Sequence, residues 1–364
     1  MRIAFHAPLK SPDAPTPSGD RTMARLLIQA MRGAGHEVQV AAQFRSRDGS
    51  GDPIRQSRLR DFGHRLAERY VRNVRSGRRP RPDLWFTYHV YYKAPDWIGP
   101  SVADALDLPY VIAEASVAHK RAGGPWDLGH QATLKALARA DLVIGLNSRD
   151  RVLVAPTLKP GGRYLHLRPF LDLSGIRPRD VRLPGPPRLL AVGMMREGDK
   201  TSSYLKLADA LSLLGADAWH LTLVGDGPAR ERITAAFAPF GARVSFTGAL
   251  DAGALPDAYR HHDLFVWPAI REAYGMALLE AQAHGLAAVA GDAGGVPDIV
   301  RDGVTGLLAP EGNIEAFADR LDLLLRSPDR VREMGVDAAR ITAADHGLEA
   351  AGVVLDAAFR ELVL

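Results

Sequence analysis

The sequence predicts an α/β protein built from two doubly wound, Rossmann-like domains that face each other across a cleft. Three observations carry this expectation. Short apolar segments alternate with amphipathic helical ones, and strands apolar on both faces belong to parallel sheets covered by helices. The chain has 364 residues, more than one compact core usually holds. A break between them, placed at 173–185, is rich in proline and glycine and reads as a linker.

The expected first domain, residues 1–172, opens with the strand RIAFHAP. RTMARLLIQAMRGAG then sets Met23, Leu26, Leu27, Ala30 and Met31 on one helical face, and glycines stop it. HEVQVAAQ, DLWFTYH, LPYVIAEAS and ADLVIGLNS read as further strands, the last three ending in polar residues. Between the second and third strands, Leu59, Phe62, Leu66, Tyr70 and Val74 recur at spacings of three and four, which predicts an amphipathic helix with arginine on its other faces.

In the expected second domain, 186–345, the strands are RLLAVGM, WHLTLVGDGP, RVSFTGAL, DLFVWPA and AAVAGDAGG. Helices are expected at 202–214, near 229–238, at 254–261 and at 276–284. The last segment, 346–364, reads as a helix striped with Leu348, Val353, Val354, Ala357, Phe359 and Leu362.

Composition narrows the function. Apolar residues make up 46% of the chain, enough for substantial cores. There is no cysteine, so no disulfide framework and no thiolate chemistry, and no metal site is expected. The opening MRIAFHAPLK is too short an apolar run for a signal peptide, and no stretch reads as a membrane span, so a cytoplasmic protein is expected.

The net charge of +4 conceals an asymmetry. Residues 1–180 carry 29 Lys and Arg against 17 Asp and Glu, whereas the remainder carries 17 against 25. The excess is densest in 45–81, with twelve arginines and four acids. Such a block suits an anionic membrane surface or an anionic acceptor, or is a solvated face. No RNA-binding signature accompanies it, so nucleic acid is not an expected partner.

Three glycine-rich turns follow strands: VGMMREGDK with Gly193, Arg196, Gly198 and Lys200; VGDGP; and GDAGGVPD. Glycine lets a backbone approach a ligand closely, and Arg and Lys neutralise a diphosphate. In open parallel sheets ligands bind beyond the carboxyl ends of strands. No G-x-G-x-x-G follows the first strand and no phosphate-loop motif occurs, which argues against a dinucleotide dehydrogenase and a phosphate-loop NTPase.

The stretch REAYGMALLEAQAHG places Glu272 before a helix and Glu280 within it, seven uncharged residues apart. The amides of Tyr274, Gly275, Met276 and Ala277 are the free donors of that helix start, suited to an anion or a hydroxyl. Carboxylates accept hydrogen bonds from vicinal diols, and a nucleotide sugar offers two such diols.

With these motifs in place the chain resembles the retaining glycosyltransferases of family four, which have the GT-B fold. The E-x7-E spacing, the run GLAAVAGDAGGVPDIVRDGVTGLL, LLAVGMMREGDK and LTLVGDGPARERI carry the resemblance across the second domain. In the first it rests on Ser18-Gly19 opening a helix, GHEVQV, DLWFTYH and ADLVIGLNS.

The resemblance implies a metal-independent retaining hexosyltransferase with a nucleoside-diphosphate sugar as co-substrate and no other cofactor. Glu272 would bind hydroxyls of the transferred sugar and Glu280 the ribose diol. Arg196 and Lys200 would hold the diphosphate, with Gly193 beside them and Gly19 helping from the first domain. The loop from Thr247 to Leu250 would face the base, and His89 or His119 would contact the sugar. The acceptor would be a glycan or a lipid-linked molecule, and the C-terminal helix would return to the first domain; a peripheral position at a membrane is what the arginine-rich 45–81 block suggests. A non-catalytic nucleotide-sugar-binding protein, or a GT-B epimerase or hydrolase, is the alternative.

Overall fold

The computed structural model describes every residue except Pro17, 180–186, 216–218 and Leu364. The chain divides into two units, 1–167 with 348–364, and 168–347. Of the expected linker, residues 173–179 belong to the second unit and 180–185 lie outside the described residues.

The first unit is a six-stranded parallel sheet in the order β2-β1-β3-β4-β5-β6. Its strands are β1 (Arg2–His6), β2 (Glu37–Ala42), β3 (Leu84–Val90), β4 (Tyr110–Ala115), β5 (Leu142–Gly145) and β6 (Arg163–His166). Its helices are α1 (Gly19–Gly33), α2 (Pro53–Arg75), α3 (Gly99–Leu106), α4 (Asp127–Arg139) and the short α5 (Arg151–Val154). Strands β3, β4 and β5 are almost entirely buried, as central strands covered on both faces must be. Ser18 starts α1 by accepting a hydrogen bond from the Arg21 amide at 3.3 Å, and Asp52 starts α2 by accepting from Ile54 and Arg55. Behind β3, the buried Asp96 carboxylate accepts from Thr87 Oγ1, Tyr110 OH and the amides of Ile98 and Gly99, which fixes the start of α3.

The second unit repeats the architecture, with strand order β12-β11-β10-β7-β8-β9. The strands are β7 (Arg188–Val192), β8 (His220–Val224), β9 (Val244–Gly248), β10 (Leu264–Trp267), β11 (Ala287–Asp292) and β12 (Gly306–Pro310). The helices are α6 (Asp199–Ser212), α7 (Arg230–Phe237), α8 (Leu255–Arg260), α9 (Met276–Ala283), α10 (Ile314–Leu325) and α11 (Pro328–Asp345). Its core gathers Leu189, Leu190, Leu223, Phe265, Val266, Leu278, Leu279 and Val289 around β7, β10 and β11.

The final helix, α12 (Leu348–Val363), belongs to the first unit and packs on α1. Phe359 lies edge-on to Phe86 and against His36, and Gly352 lets the α12 backbone approach the Ala30 carbonyl. The buried face is Ala351, Gly352, Leu355, Ala358 and Phe359. The expected stripe is therefore wrong in part: Val353 is 64% exposed, Val354 is 37% exposed, and Ala357 is exposed as well.

A similar correction applies to α2, which buries Gly63, Ala67, Tyr70, Val71 and Val74 but leaves Phe62 46% exposed. Gly63 is buried because the helix lies so close to Trp97 that a β-carbon would overlap its side chain. The strands not foreseen are β6 and β12, one of the two edges of each sheet. Among the described residues, no helix is long and apolar enough to cross a membrane.

Candidate active site

In the second unit the loops that leave the carboxyl ends of β7, β8, β10 and β11 interlock through their backbones. The Gly193 amide donates to Val224 O, Met195 N to Asp226 O, Gly225 N to Gly248 O and Gly295 N to Ala273 O. Glycine is required at two of these crossings. A β-carbon at Gly225 would lie 1.9 Å from the Gly193 carbonyl oxygen, and one at Gly294 1.8 Å from that of Glu272. The turns expected to make room for a ligand thus first make room for each other.

Glu272 sits in the turn between β10 and α9. This turn is strained: Ala269 and Arg271 adopt left-handed φ values of 56° and 46°. Three anchors hold it. The Ile270 amide donates to Ser203 Oγ at 3.0 Å, the Arg271 amide to Glu311 Oε1 at 2.8 Å, and Arg271 Nε to Asp199 Oδ1 at 2.6 Å. Held this way, the Glu272 carboxylate pairs with Lys200 Nζ from the first turn of α6. The same oxygen accepts Trp267 Nε1 at 3.0 Å, and Lys200 Nζ lies 5.3 Å from the Trp267 ring centroid. Tyr204 packs edge-on against that ring, and its hydroxyl donates to the Gly193 carbonyl.

Helix α9 begins immediately beyond. Its N-cap is Gly275, which offers no side-chain cap, so the Met276 and Ala277 amides of the first turn keep their donor capacity. One turn on, Glu280 Oε2 accepts the Tyr259 hydroxyl at 2.7 Å. Burial raises the Glu280 carboxyl above its ordinary range, and the Tyr259 hydrogen bond opposes that rise. Burial and the neighbouring Glu280 push the Tyr259 hydroxyl well above its usual value.

The remaining expected residues lie as follows. Arg196 is exposed in the loop before α6 and forms no ion pair among the described residues, while its carbonyl accepts Thr201 Oγ1 at 2.7 Å. Thr247 is exposed in β9 and Leu250 packs partly on the core. Tyr274 is half-buried in the turn beside Glu272. Gly19 is the first residue of α1, in the first unit. His119 is exposed in a single helical turn, its ring 6.2 Å from that of His130.

His89 differs from His119. It is the penultimate residue of β3, with a left-handed φ of 64°, and Glu114 is the penultimate residue of β4, with a φ of 59°. His89 Nδ1 lies 3.0 Å from Asp20 Oδ1, in the first turn of α1, and 3.6 Å from Glu114 Oε1. Burial works against a charged ring here, but Glu114 and Asp20 outweigh it and hold the His89 pKa above its ordinary value. In return the His89 hydrogen bond lowers the Asp20 carboxyl. An imidazole beside two carboxylates, one from the start of α1 and one from the end region of β4, is a polar site suited to hydroxyl groups.

Residues 186–327 match the family model described as glycosyl transferases group 1. The second unit contains a glycosyl transferases group 1 domain. Among curated relatives, the chain is 31% identical over 180 residues to the alpha-D-kanosaminyltransferase of Streptomyces kanamyceticus, covering 49% of this chain and 46% of that enzyme. The chain spans less than half the length of the first curated relatives it matches.

Solved structures of the GT-B type match both six-stranded domains. Sucrose-phosphate synthase from Thermosynechococcus elongatus superposes with a TM-score of 0.71 at 22% identity, covering 99% of this chain and 98% of that one. The Anabaena protein HepE, solved with UDP, gives 0.73 at 15% identity over 100% of both chains.

Several site residues escape a reading of the sequence. Trp267 sits in an apolar run and reads as core, and Tyr259 reads as one more helical aromatic. Asp20 and Glu114 gain meaning only through His89, which meets them across the sheet. Their placement just past apolar strand runs, or at the opening of a helix, is the one signal the sequence carries.

Proposed function

We propose that the chain is a metal-independent retaining glycosyltransferase that moves a hexose from a nucleoside-diphosphate sugar to an acceptor hydroxyl. The observation that carries this reading is the meeting of the Glu272 carboxylate, the Lys200 ammonium and the start of α9 in one strained, backbone-anchored turn. Glu272 and Glu280 accept hydrogen bonds from the sugar and ribose diols. Lys200, the exposed Arg196 and the α9 amides stabilise the negative charge that develops on the leaving diphosphate. The bond from the anomeric carbon to the diphosphate oxygen breaks, and a bond to the acceptor oxygen forms on the same face. The acceptor proton passes to the departing phosphate oxygen, so Glu272 orients the sugar and is not the base. Kinship of the donor domain to a sugar transferase supports the donor class. The acceptor is read as a glycan or a lipid-linked molecule, met at the cytoplasmic face of a membrane by the arginine-rich 45–81 segment.

The test is to incubate the chain with UDP-, GDP- and ADP-hexoses, with and without glycan and lipid-linked acceptors, and to assign the anomeric configuration of the product by NMR. Transfer with retention is expected, lost in Glu272→Ala. Donor binding with no turnover would leave a nucleotide-sugar-binding protein. Release of free hexose at equal rates with and without acceptors would mark a hydrolase.

A further inference from the structure

A cavity of about 550 Å³ opens in the first unit beyond the carboxyl end of the edge strand β2, against α2, within the size range of small-molecule sites. Its apolar walls are Phe44, Phe62, Leu66 and Ile98, with the Phe44 and Phe62 rings 5.4 Å apart. Phe62 is nearly half exposed there, so an apolar surface stands open beside the charged face of the helix.

The charged groups on its lining are both arginines, Arg69 and Arg79. Arg79 is held in place: its guanidinium lies 4.4 Å from the Tyr70 ring centroid and donates to the Val40 and Ala41 carbonyls at 3.4 Å. Those bonds leave other N–H groups of the fork available. Arg69 is exposed, and neither arginine has a carboxylate partner among the described residues. The lining itself carries no acid; Asp13 accepts from the Gln43 side-chain amide at 3.1 Å, and the buried Asp96 accepts from the Ile98 amide at 2.9 Å. The cavity on the other side of α2 differs, because its Arg72 lies 3.7 Å from Glu68 and its Arg75 donates to the Ala105 carbonyl.

We propose that this cavity is a binding site for an alkyl or prenyl phosphate, with the phosphate between Arg69 and Arg79 and the chain on Phe44, Phe62, Leu66 and Ile98. Guanidinium groups suit a phosphate, and the helix amplifies the attraction, carrying seven arginines against two acids. An anion without a chain leaves the aromatic wall wet, and a neutral chain leaves both arginines unused. The site stands whether or not the chain transfers sugar.

Calorimetric titration of the full chain with decyl phosphate, kept below its micelle concentration, tests this. Decyl phosphate should bind, whereas inorganic phosphate and decyl maltoside should bind at least about tenfold more weakly. Arg69→Gln and Phe62→Ser, both at exposed positions of α2, should each weaken decyl phosphate about tenfold or more while leaving the thermal melt unchanged. Decyl maltoside binding as tightly as decyl phosphate, or affinity unmoved by both substitutions, overturns the proposal. So does absence of decyl phosphate binding with sedimentation on phosphatidylglycerol vesicles that both variants retain, since that is adsorption of the arginine face alone.

Discussion

Replacing Glu272 with glutamine should tighten the binding of a bare nucleoside diphosphate while weakening that of the nucleotide sugar. The reason is a competition for one cation. Lys200 is paired with the Glu272 carboxylate. If Lys200 serves the diphosphate, it must leave that partner or share it with a second anion. The glutamine carbonyl can still accept Trp267 Nε1, so the turn keeps its anchor while Lys200 loses its competitor. The pair is neither surface nor core, since the Glu272 side chain is 13% and the Lys200 side chain 34% exposed. Exposed pairs contribute about 0–1 kcal/mol, and breaking a fully buried one costs about 3–5 kcal/mol. An intermediate value of about 1–2 kcal/mol corresponds to roughly a 5- to 30-fold lower Kd for UDP, GDP or ADP, whichever binds. The nucleotide sugar loses a charged acceptor for its hydroxyls, so its affinity relative to the matching diphosphate should fall. Calorimetric titration of wild type and Glu272→Gln with each diphosphate and its hexose conjugate reads both. A diphosphate affinity that is unchanged or weaker in the variant refutes the competition and removes Lys200 from the diphosphate site.

Tyr259→Phe removes the 2.7 Å bond to Glu280, and thermal melts at pH 7 should show a loss of about 1–2 kcal/mol. Because burial raises the Glu280 pKa, the carboxyl takes up its proton early as pH falls, and the difference between wild type and variant should shrink towards pH 4. The raised pKa of His89 means that its ion pairs stabilise the fold fully below the ordinary histidine value and fade as pH rises through the raised one. Urea unfolding from about pH 6 to 8.5 should show that slope in wild type and not in His89→Gln. Gly294→Ala puts a β-carbon into the Glu272 carbonyl at a φ of 49°, and should cost about 2 kcal/mol or more and abolish diphosphate binding, read by melts with and without nucleotide.

The central strands were legible because a continuous apolar run is what a strand buried on both faces must be, and the edge strands β2 and β9 were legible by the apolar–polar alternation of EVQV and VSFT. β6 and β12 escaped because each is short and breaks those patterns: RYLH is half exposed, and GLLAP begins with glycine and ends with proline. In the last helix a stripe chosen by hydrophobicity alone admitted Val353 and Val354, whereas the face that packs on α1 is built from small residues around Leu355 and Phe359. At the candidate site, Glu272 and Glu280 stood out because charge is rare in their apolar surroundings, and Lys200 because it closes a glycine-rich turn that follows a strand. Trp267, Tyr259 and Arg271 did not, because their parts are set by neighbours distant in the chain or by a backbone angle.

Backbone strain ties the two units together as pieces of one design. Among the described residues, five that are not glycine adopt left-handed φ values: His89, Asp107, Glu114, Ala269 and Arg271. Asp107 closes α3, where such a conformation is an ordinary helix end. The other four lie at the carboxyl ends of β3, β4 and β10 or in the turn just after them. Each costs of order 1–3 kcal/mol and persists only where its surroundings over-determine it. Those surroundings are the His89–Asp20–Glu114 contacts in one unit, and the Arg271–Asp199, Arg271–Glu311 and Ile270–Ser203 bonds in the other. Strain at the carboxyl ends of strands in both sheets is what the proposed sites would require: side chains aimed by a backbone that cannot relax when a charged ligand arrives.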